Sequence, residues 1–348
     1  MNDETVLVTG ARGYLGSVLM KMLDDRGYGA IGVDNNVISR QELRLRKGRY
    51  LDADIRDVAE WEKTLEGVDA VVHLAAIVGD PACNLNEDLT WETNYLGTVY
   101  LAEACRRRGV RTFAFASTCS NYGLSFGEAA NIYSPLHPQS VYAESKIHAE
   151  HHLLVGSDGI FVPRILRLST LYGLSPRMRF DLVVNMMTAR AVTDHRITVH
   201  GGNQWRPFLH VRDAANAFVQ AIESRDALGS KTWNCGSKSQ NYRIADIAAI
   251  VAGEVPEAKI EIMQSVVDER DYFVDFEEIR EDLGFTPQHE ILDEVRAIAA
   301  AAREGRFGDA RGARYVNVDL IRHALDRDDP VVELRRHKSR PHISFGAA

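Results

Sequence analysis

Thr9-Gly10-Ala11-Arg12-Gly13-Tyr14-Leu15-Gly16 follows the β-branched run Thr5 to Val8 and opens a helical pattern from about Tyr14. A glycine-rich turn between a strand and a helix lets the backbone approach a pyrophosphate, while the helix N-terminus supplies free N–H groups and partial positive charge. Taken alone, the glycines also fit a plain tight turn. The second β-branched run, Ala30 to Val33, ends in Asp34, where a carboxylate can bond the adenosine ribose hydroxyls and repel a 2′-phosphate. Strand, turn, helix and acid in this order predict a dinucleotide site, with NAD favoured over NADP.

Outward from that turn, short apolar runs alternate with helical patterns: Ala70 to Leu74, a helix around Trp91 to Arg107, Thr112 to Ala116, a helix around Val141 to Leu154, then Ile160 to Leu168. The alternation predicts an α/β fold, a doubly wound parallel sheet of Rossmann type with helices on both faces. After Gly173 the rhythm breaks, and Ser175 to Arg179 and Gly201 to Pro207 read as pocket-forming loops. Asp213 reads as the N-cap of an apolar helix to Ile222. The expected division is a dinucleotide-binding domain over residues 1–173, with 213–236 returning to it. A smaller, discontinuous substrate-binding region takes 174–212 and 237–348.

With 348 residues and 45% apolar content, the chain can bury a substantial core. Its 41 basic and 49 acidic residues give a net charge of −8, so no general attraction to nucleic acid or anionic membrane is expected. Cys83, Cys105, Cys119 and Cys235 are scattered without metal-ligand or disulfide-like spacing, which fits a reducing cytosol. The absence of a basic leader and of any run of ~20 apolar residues predicts a soluble, unprocessed cytoplasmic protein. The basic tail, Arg335-Arg336-His337-Lys338 and Arg340, reads as a solvated terminus rather than a polyanion contact.

Tyr142 and Lys146 lie four residues apart in a helical segment, so both side chains project from one face. Among twelve tyrosines only Tyr142 has a lysine four positions later. A free tyrosine, with a pKa of ~10, is a poor base at neutral pH, but a neighbouring ammonium favours the phenolate. Thr118 closes the Thr112 strand at the carboxyl edge, where such sheets bind ligands, and can orient a reacting hydroxyl. His148, His151 and His152 also share a helical face; a solvated or subunit-contact face is the preferred reading over a metal site.

The ordered set Thr9-Gly-x-x-Gly-Tyr-Leu-Gly16, His73-Leu74-Ala75-Ala76, Asn94, Ser117-Thr118 and Tyr142-x-x-x-Lys146 resembles the extended short-chain dehydrogenase/reductase family, in its branch of NAD-dependent nucleotide-sugar epimerases and dehydratases. The resemblance runs from about Thr5 to Gly284. It implies that Gly10, Gly13, Tyr14 and Leu15, with Arg12 counted among them, meet the cofactor pyrophosphate. Asp34 and Asn35 would meet the ribose, Asp54 and Ile55 the adenine, and Leu74, Ala75 and Ala76 the inner cofactor. Asn94, Tyr142 and Lys146 would complete the cofactor site.

For the substrate, the resemblance implies that Arg206, in Arg206-Pro-Phe-Leu-His210, and Arg270 pair with a nucleotide diphosphate; a surface position or a salt bridge is the alternative for each. Ser175-Pro-Arg177-Met-Arg179 to Asn185 resembles a branch handling unusual sugars, heptoses among them, so Arg177, Arg179, Asn185 and Ser120 join the candidate substrate residues. Arg177 and Arg179 could equally be helix-start surface charges. Family dehydratases carry an aspartate and a glutamate just after the catalytic threonine, where this chain has Cys119 and Ser120, so 4,6-dehydration is not expected. Thr170 replaces an asparagine that several relatives use near the sugar diphosphate.

The resulting reading is an NAD-dependent nucleotide-sugar 4-epimerase acting through a transient 4-keto sugar. Its alternatives are a 4-dehydrogenase releasing that ketone and, more remotely, a non-catalytic NAD sensor. The resemblance also implies a homodimer, formed through the helices around Trp91 to Arg107 and Val141 to Leu154.

Overall fold

A computed structural model of the chain describes residues 4–125, 127–224, 228–263, 270–327, 329 and 331–333. The basic tail from Arg335 to Arg340 lies outside the described residues. Seven parallel strands form the main sheet: β1 (Thr5–Thr9), β2 (Gly29–Asp34), β3 (Arg49–Asp52), β4 (Ala70–His73), β5 (Thr112–Thr118), β6 (Val162–Leu168) and, much later in the chain, β10 (Lys231–Cys235). Their order is β10-β6-β5-β4-β1-β2-β3. Strand order reverses between β1 and β4, which is where a doubly wound sheet opens a crevice at its carboxyl edge.

Strand periodicity explains why both faces are covered. Val6 and Val8 point into one buried cluster, with Leu19 and Leu23 of the Tyr14–Asp25 helix and Phe218 of the Val211–Glu223 helix. Leu7 points the other way, toward Leu101 and Cys105 of the Gly97–Arg107 helix and Leu153 of the Val141–Val155 helix. An apolar run with no polar alternation is what a parallel sheet buried on both sides requires.

Three further strands, β11 (Asn241–Arg243), β9 (Trp205–His210) and β7 (Thr170–Tyr172), form a small sheet beside the crevice, and β12 (Lys259–Met263) pairs with β8 (Arg196–His200). A separate core cluster joins β7, β8, β9 and β11 to the Val183–Asp194, Ile244–Glu254 and Ile291–Arg303 helices. The helix after β9 starts earlier than its acidic residue suggests. His210 occupies the N-cap and accepts from the Arg212 N–H at 3.2 Å, so Asp213 stands inside the first turn. There the Asp213 carboxylate accepts from the backbone N–H groups of Gln288 and His289, each at 3.1 Å, and docks a distant loop.

The glycines of the first turn are fixed by geometry. Gly10 has φ of +68°, and a Cβ there would lie 2.8 Å from the Ala75 nitrogen. At Gly16 a Cβ would fall 2.0 Å from the Gly10 carbonyl oxygen, inside any tolerable contact. Gly16→Ala must therefore push the helix off the turn, and we expect a loss of roughly 1–3 kcal/mol in urea unfolding, together with weakened dinucleotide binding. A wild-type midpoint would contradict the close approach.

Candidate active site

Each catalytic candidate is placed by a local rule. Ser140 caps the Val141–Val155 helix by accepting from the Ala143 N–H at 3.3 Å, which sets Tyr142 and Lys146 one turn apart at the crevice. Thr118 ends β5 and accepts from the Ser120 N–H at 3.1 Å, so its hydroxyl is held at the mouth of the following turn. That hydroxyl lies close enough to the Tyr142 phenol to draw its pKa down against the effect of burial. The Lys146 ammonium lies 4.7 Å from the centre of the Phe115 ring and 5.9 Å from that of Tyr142.

One cleft of about 530 Å³ holds these groups together with most of the other candidates. Its lining includes Gly10, Gly13, Tyr14, Leu15, Asp34, Asn35, Ile55, Leu74, Ala75 and Ala76, together with Thr118, Tyr142 and Lys146. Ser120, Arg177, Arg179, Arg206 and Arg270 line it as well. Gly13 caps the first helix without a side chain, so nothing of its own covers the helix N-terminus. The Asp34 carboxylate is anchored there by the backbone N–H groups of Arg12 at 2.9 Å and Asn36 at 3.0 Å. Bare helix N-terminus, close-approach glycines and anchored carboxylate together fit a dinucleotide.

Four candidates do not line the cleft. The Arg12 side chain is buried against the Tyr50 ring, 4.8 Å from its centre, and pairs with Glu42 and Asp52; only its backbone serves the site, through Asp34. Asp54 is taken by Arg56, which donates from Nε at 3.0 Å and from Nη2 at 2.9 Å. Burial works to raise the Asp54 carboxyl, but those bonds and the guanidinium charge override it and hold it below the usual carboxylate range. Asn94 sits in a π-helical turn, Glu92–Leu96, and clamps Ile77, accepting from its N–H at 2.8 Å and donating to its carbonyl at 3.0 Å. Asn185 accepts from the Gly173 N–H at 2.9 Å and donates to the Tyr14 hydroxyl at 3.2 Å, behind the cleft wall.

The cleft also contains residues that sequence reasoning did not single out: Ala53, Asp80, Asp181, Tyr272, Asn317 and Ile321. Asp80 pairs with Arg270 at 2.6 Å, and Tyr272 meets the Ser120 hydroxyl at 3.3 Å beneath the Arg206 guanidinium. Only Asp80 carried a local signal, since it closes the loop after His73-Leu74-Ala75-Ala76. Cys119 is buried, donates to the Arg167 carbonyl at 3.1 Å, and has its thiol pushed up to about 12 by burial. It faces the core, not the cleft.

The helical histidines are spread over different partners. His148 meets Trp91 and Tyr95 edge-on, at 5.3 and 5.9 Å between ring centres, while His152 lies 3.6 Å from Glu103. Elsewhere, His210, Asp213 and His289 bring their ligand atoms within 4.8 Å of one another. The two rings stack at 4.1 Å, with His289 Nδ1 on Asp213 at 2.9 Å and His210 Nε2 facing Glu294 at 3.2 Å. These contacts tie the loop at His289 and the Ile291–Arg303 helix to β9.

Burial pulls Lys146 down from the ordinary 10.5 to about 8. Folded Lys146 thus releases its proton before the unfolded chain does. Between pH 8 and 10.5 the unfolded state binds the extra proton, so this group makes the protein more stable as pH rises through that window. Urea titrations of ligand-free protein should show that rise in wild type and not in Lys146→Met; identical slopes would mean the ammonium is not desolvated.

A model described as the NAD dependent epimerase/dehydratase family matches residues 6–236. A UDP-glucose 4-epimerase of Corynebacterium glutamicum is 26% identical over 303 residues, covering 82% of this chain and 91% of that protein. An uncharacterized UDP-glucose epimerase of Bacillus subtilis is 32% identical over 251 residues, 66% of this chain and 76% of its own. The solved UDP-glucuronic acid 4-epimerase of Bacillus cereus, in complex with UDP-glucuronic acid and NAD, superimposes with a TM-score of 0.77 at 26% identity, over 86% of this chain and 99% of that one. With the family match spanning the whole parallel sheet and the cleft motifs in place, this chain belongs to the NAD dependent epimerase/dehydratase family, enzymes of the extended short-chain dehydrogenase/reductase class.

Proposed function

We propose that the chain is a nucleotide-sugar 4-epimerase acting through a transient 4-keto sugar. What carries this reading is the meeting of Thr118 and Tyr142 in a cleft that also holds the dinucleotide turn, with no carboxylic acid and base at Cys119 and Ser120. NAD, when bound, supplies the acceptor and donor of the sugar-carbon hydride. Tyr142 takes the proton of the reacting hydroxyl as phenolate and gives it back to the same oxygen when the ketone is re-reduced on its opposite face. Thr118 keeps the oxygen within reach of that phenol. Lys146 favours the phenolate by its charge, and Arg206 and Arg270 offer planar donors for the diphosphate of a nucleotide sugar.

The same reading makes the protein a cytosolic homodimer. No described helix is long and apolar enough to cross a membrane. Leu154 and Val155, 41% and 72% exposed, leave an apolar edge on the Val141–Val155 helix that suits a subunit contact. Sedimentation velocity of wild type against Val155→Glu tests that face.

The activity test is incubation of the purified protein with UDP-glucose, UDP-glucuronic acid and GDP-linked heptoses, followed by chromatography of the sugars. An epimer pair without net NADH supports the reading. A released ketone with one NADH per turnover would transfer it to a dehydrogenase, and no conversion of any nucleotide sugar would favour a sensor.

A further inference from the structure

Two arginine pairs line the cleft, and they lie among different neighbours. Arg206 and Arg270 sit with Tyr272 and Ser120, the residue two positions after Thr118. Arg177 and Arg179 belong to the segment that packs on the dinucleotide helix. Ser175 donates to the Tyr14 carbonyl at 2.7 Å and meets the Ser17 hydroxyl at 3.1 Å, which fixes the segment over the first turn of that helix. Asn317 then ties it to the other wall: its side chain accepts from Arg177 Nη2 at 2.8 Å and donates to the Val78 carbonyl, in the loop after β4, at 3.3 Å.

The charges of the pair are not equally matched. Arg179 forms a two-pronged ion pair with Asp181, at 2.9 Å on each prong. Arg177 is only 6% exposed; among the described residues its one hydrogen-bonding partner is the neutral Asn317 amide, and its buried Nε has none. Among the described residues no carboxylate forms an ion pair with it. Burial, with Arg179 alongside, pulls its pKa down to about 10. Asp181 and Asp34 act on it only through space; a buried guanidinium without a directly paired carboxylate is costly, and an arriving anion relieves that cost.

We propose that Arg177, aimed by Asn317, is a ligand of the NAD pyrophosphate rather than of the sugar nucleotide, so that each of the two diphosphates entering the cleft meets its own arginine. The proposal rests on the reading of this cleft as the NAD site. It also gives the C-terminal segment a role. Asn317 opens the Asn317–Asp326 helix, whose Ile321, followed by Val331 and Val332, lines the cleft. Arg56 grips the end of this strap through the backbone carbonyls of Val331 and Glu333. NAD held from above by this strap exchanges slowly, as suits a cofactor that is regenerated in every turnover.

The test compares full-length wild type with Arg177→Gln, Asn317→Asp and Arg206→Gln, reading NAD retained through purification by mass spectrometry and the Kd of NAD and of UDP by calorimetry. Arg177→Gln should weaken NAD by about tenfold to a hundredfold and leave UDP unchanged. Asn317→Asp, which keeps the size of the side chain but gives Arg177 a carboxylate, should weaken NAD in the same direction. Arg206→Gln should weaken UDP alone. Wild type that binds NAD while both segment variants bind it equally well overturns this proposal by itself, as does an Arg177→Gln that loses UDP and keeps NAD. Wild type that takes up no NAD would remove the cleft reading and this proposal together.

Discussion

Replacing Tyr142 with phenylalanine leaves the protein folded and able to retain NAD, and lowers turnover by roughly 10²–10⁴-fold, the range by which a positioned proton acceptor accelerates a reaction. The ring itself is structural: it packs against a cluster containing Ile77, Cys83 and Leu89, and phenylalanine preserves that contact. Only the hydroxyl is lost. Burial pushes the Tyr142 phenol above its ordinary range, with Cys83 and Asp80 adding to the shift, while Arg179 and the nearby Thr118 hydroxyl oppose it. The phenolate therefore needs positive charge nearby, and Lys146 stands on the same helix face to provide it. Steady-state rates measured beside bound-nucleotide analysis decide the matter. Turnover near the wild-type rate would end the role of Tyr142 as proton acceptor.

The largest effect on stability is expected beneath the site. Glu150 is 3% exposed and accepts from Arg167 Nε at 3.0 Å and Nη2 at 2.7 Å, from Asn121 at 3.0 Å, and from the Ser117 hydroxyl. Arg167 in turn donates to the Tyr122 hydroxyl at 2.9 Å. Glu150→Ala removes the carboxylate and leaves a buried, uncompensated guanidinium, which should cost about 3–5 kcal/mol in urea unfolding. The double variant Glu150→Leu, Arg167→Met removes both charges and should recover much of that loss, because apolar residues of similar volume need no partner. A single variant within ~1 kcal/mol of wild type would show that the pair behaves like an exposed one.

Ser117 belongs to this network and Thr118 follows it directly, so the ion pair also fixes the end of β5 where the Thr118 hydroxyl is presented. None of this was legible beforehand. Glu150 and Arg167 lie seventeen residues apart, on a helix and on the strand that follows it, and nothing in their spacing joins them.

The residues whose placement was legible in the sequence share a property: their positions are set by neighbours within a few residues. The Gly10 to Gly16 turn announces itself by its glycines, Asp34 by closing a strand, and Tyr142 with Lys146 by helical spacing. The residues whose surroundings were not legible are polar groups outside the cleft lining. Asp54, Asn94 and Asn185 each stand where a ligand could be met, but each serves a protein partner: the Arg56 guanidinium, the Ile77 backbone and the Gly173 N–H. Asp213 reads as a cap from its place before an apolar run, yet it docks Gln288 and His289 instead. A carboxylate or amide satisfies ligand and backbone with the same atoms, so residue type alone cannot say which one it faces.

The sequence by itself determined the parallel sheet, the dinucleotide turn and the Tyr142-Lys146 face, because strand alternation, glycine conformation and helical pitch are local. Only the tertiary structure decided which neighbours each cleft arginine meets. Arg177, Arg206 and Arg270 are alike in charge and shape, and they differ only in their company: the dinucleotide helix and Asn317 for one, Tyr272 for the second and Asp80 for the third. Those contacts span between 66 and 190 positions of the chain or close it from the far C-terminus, 140 residues away, so they exist only once the strands and helices have packed.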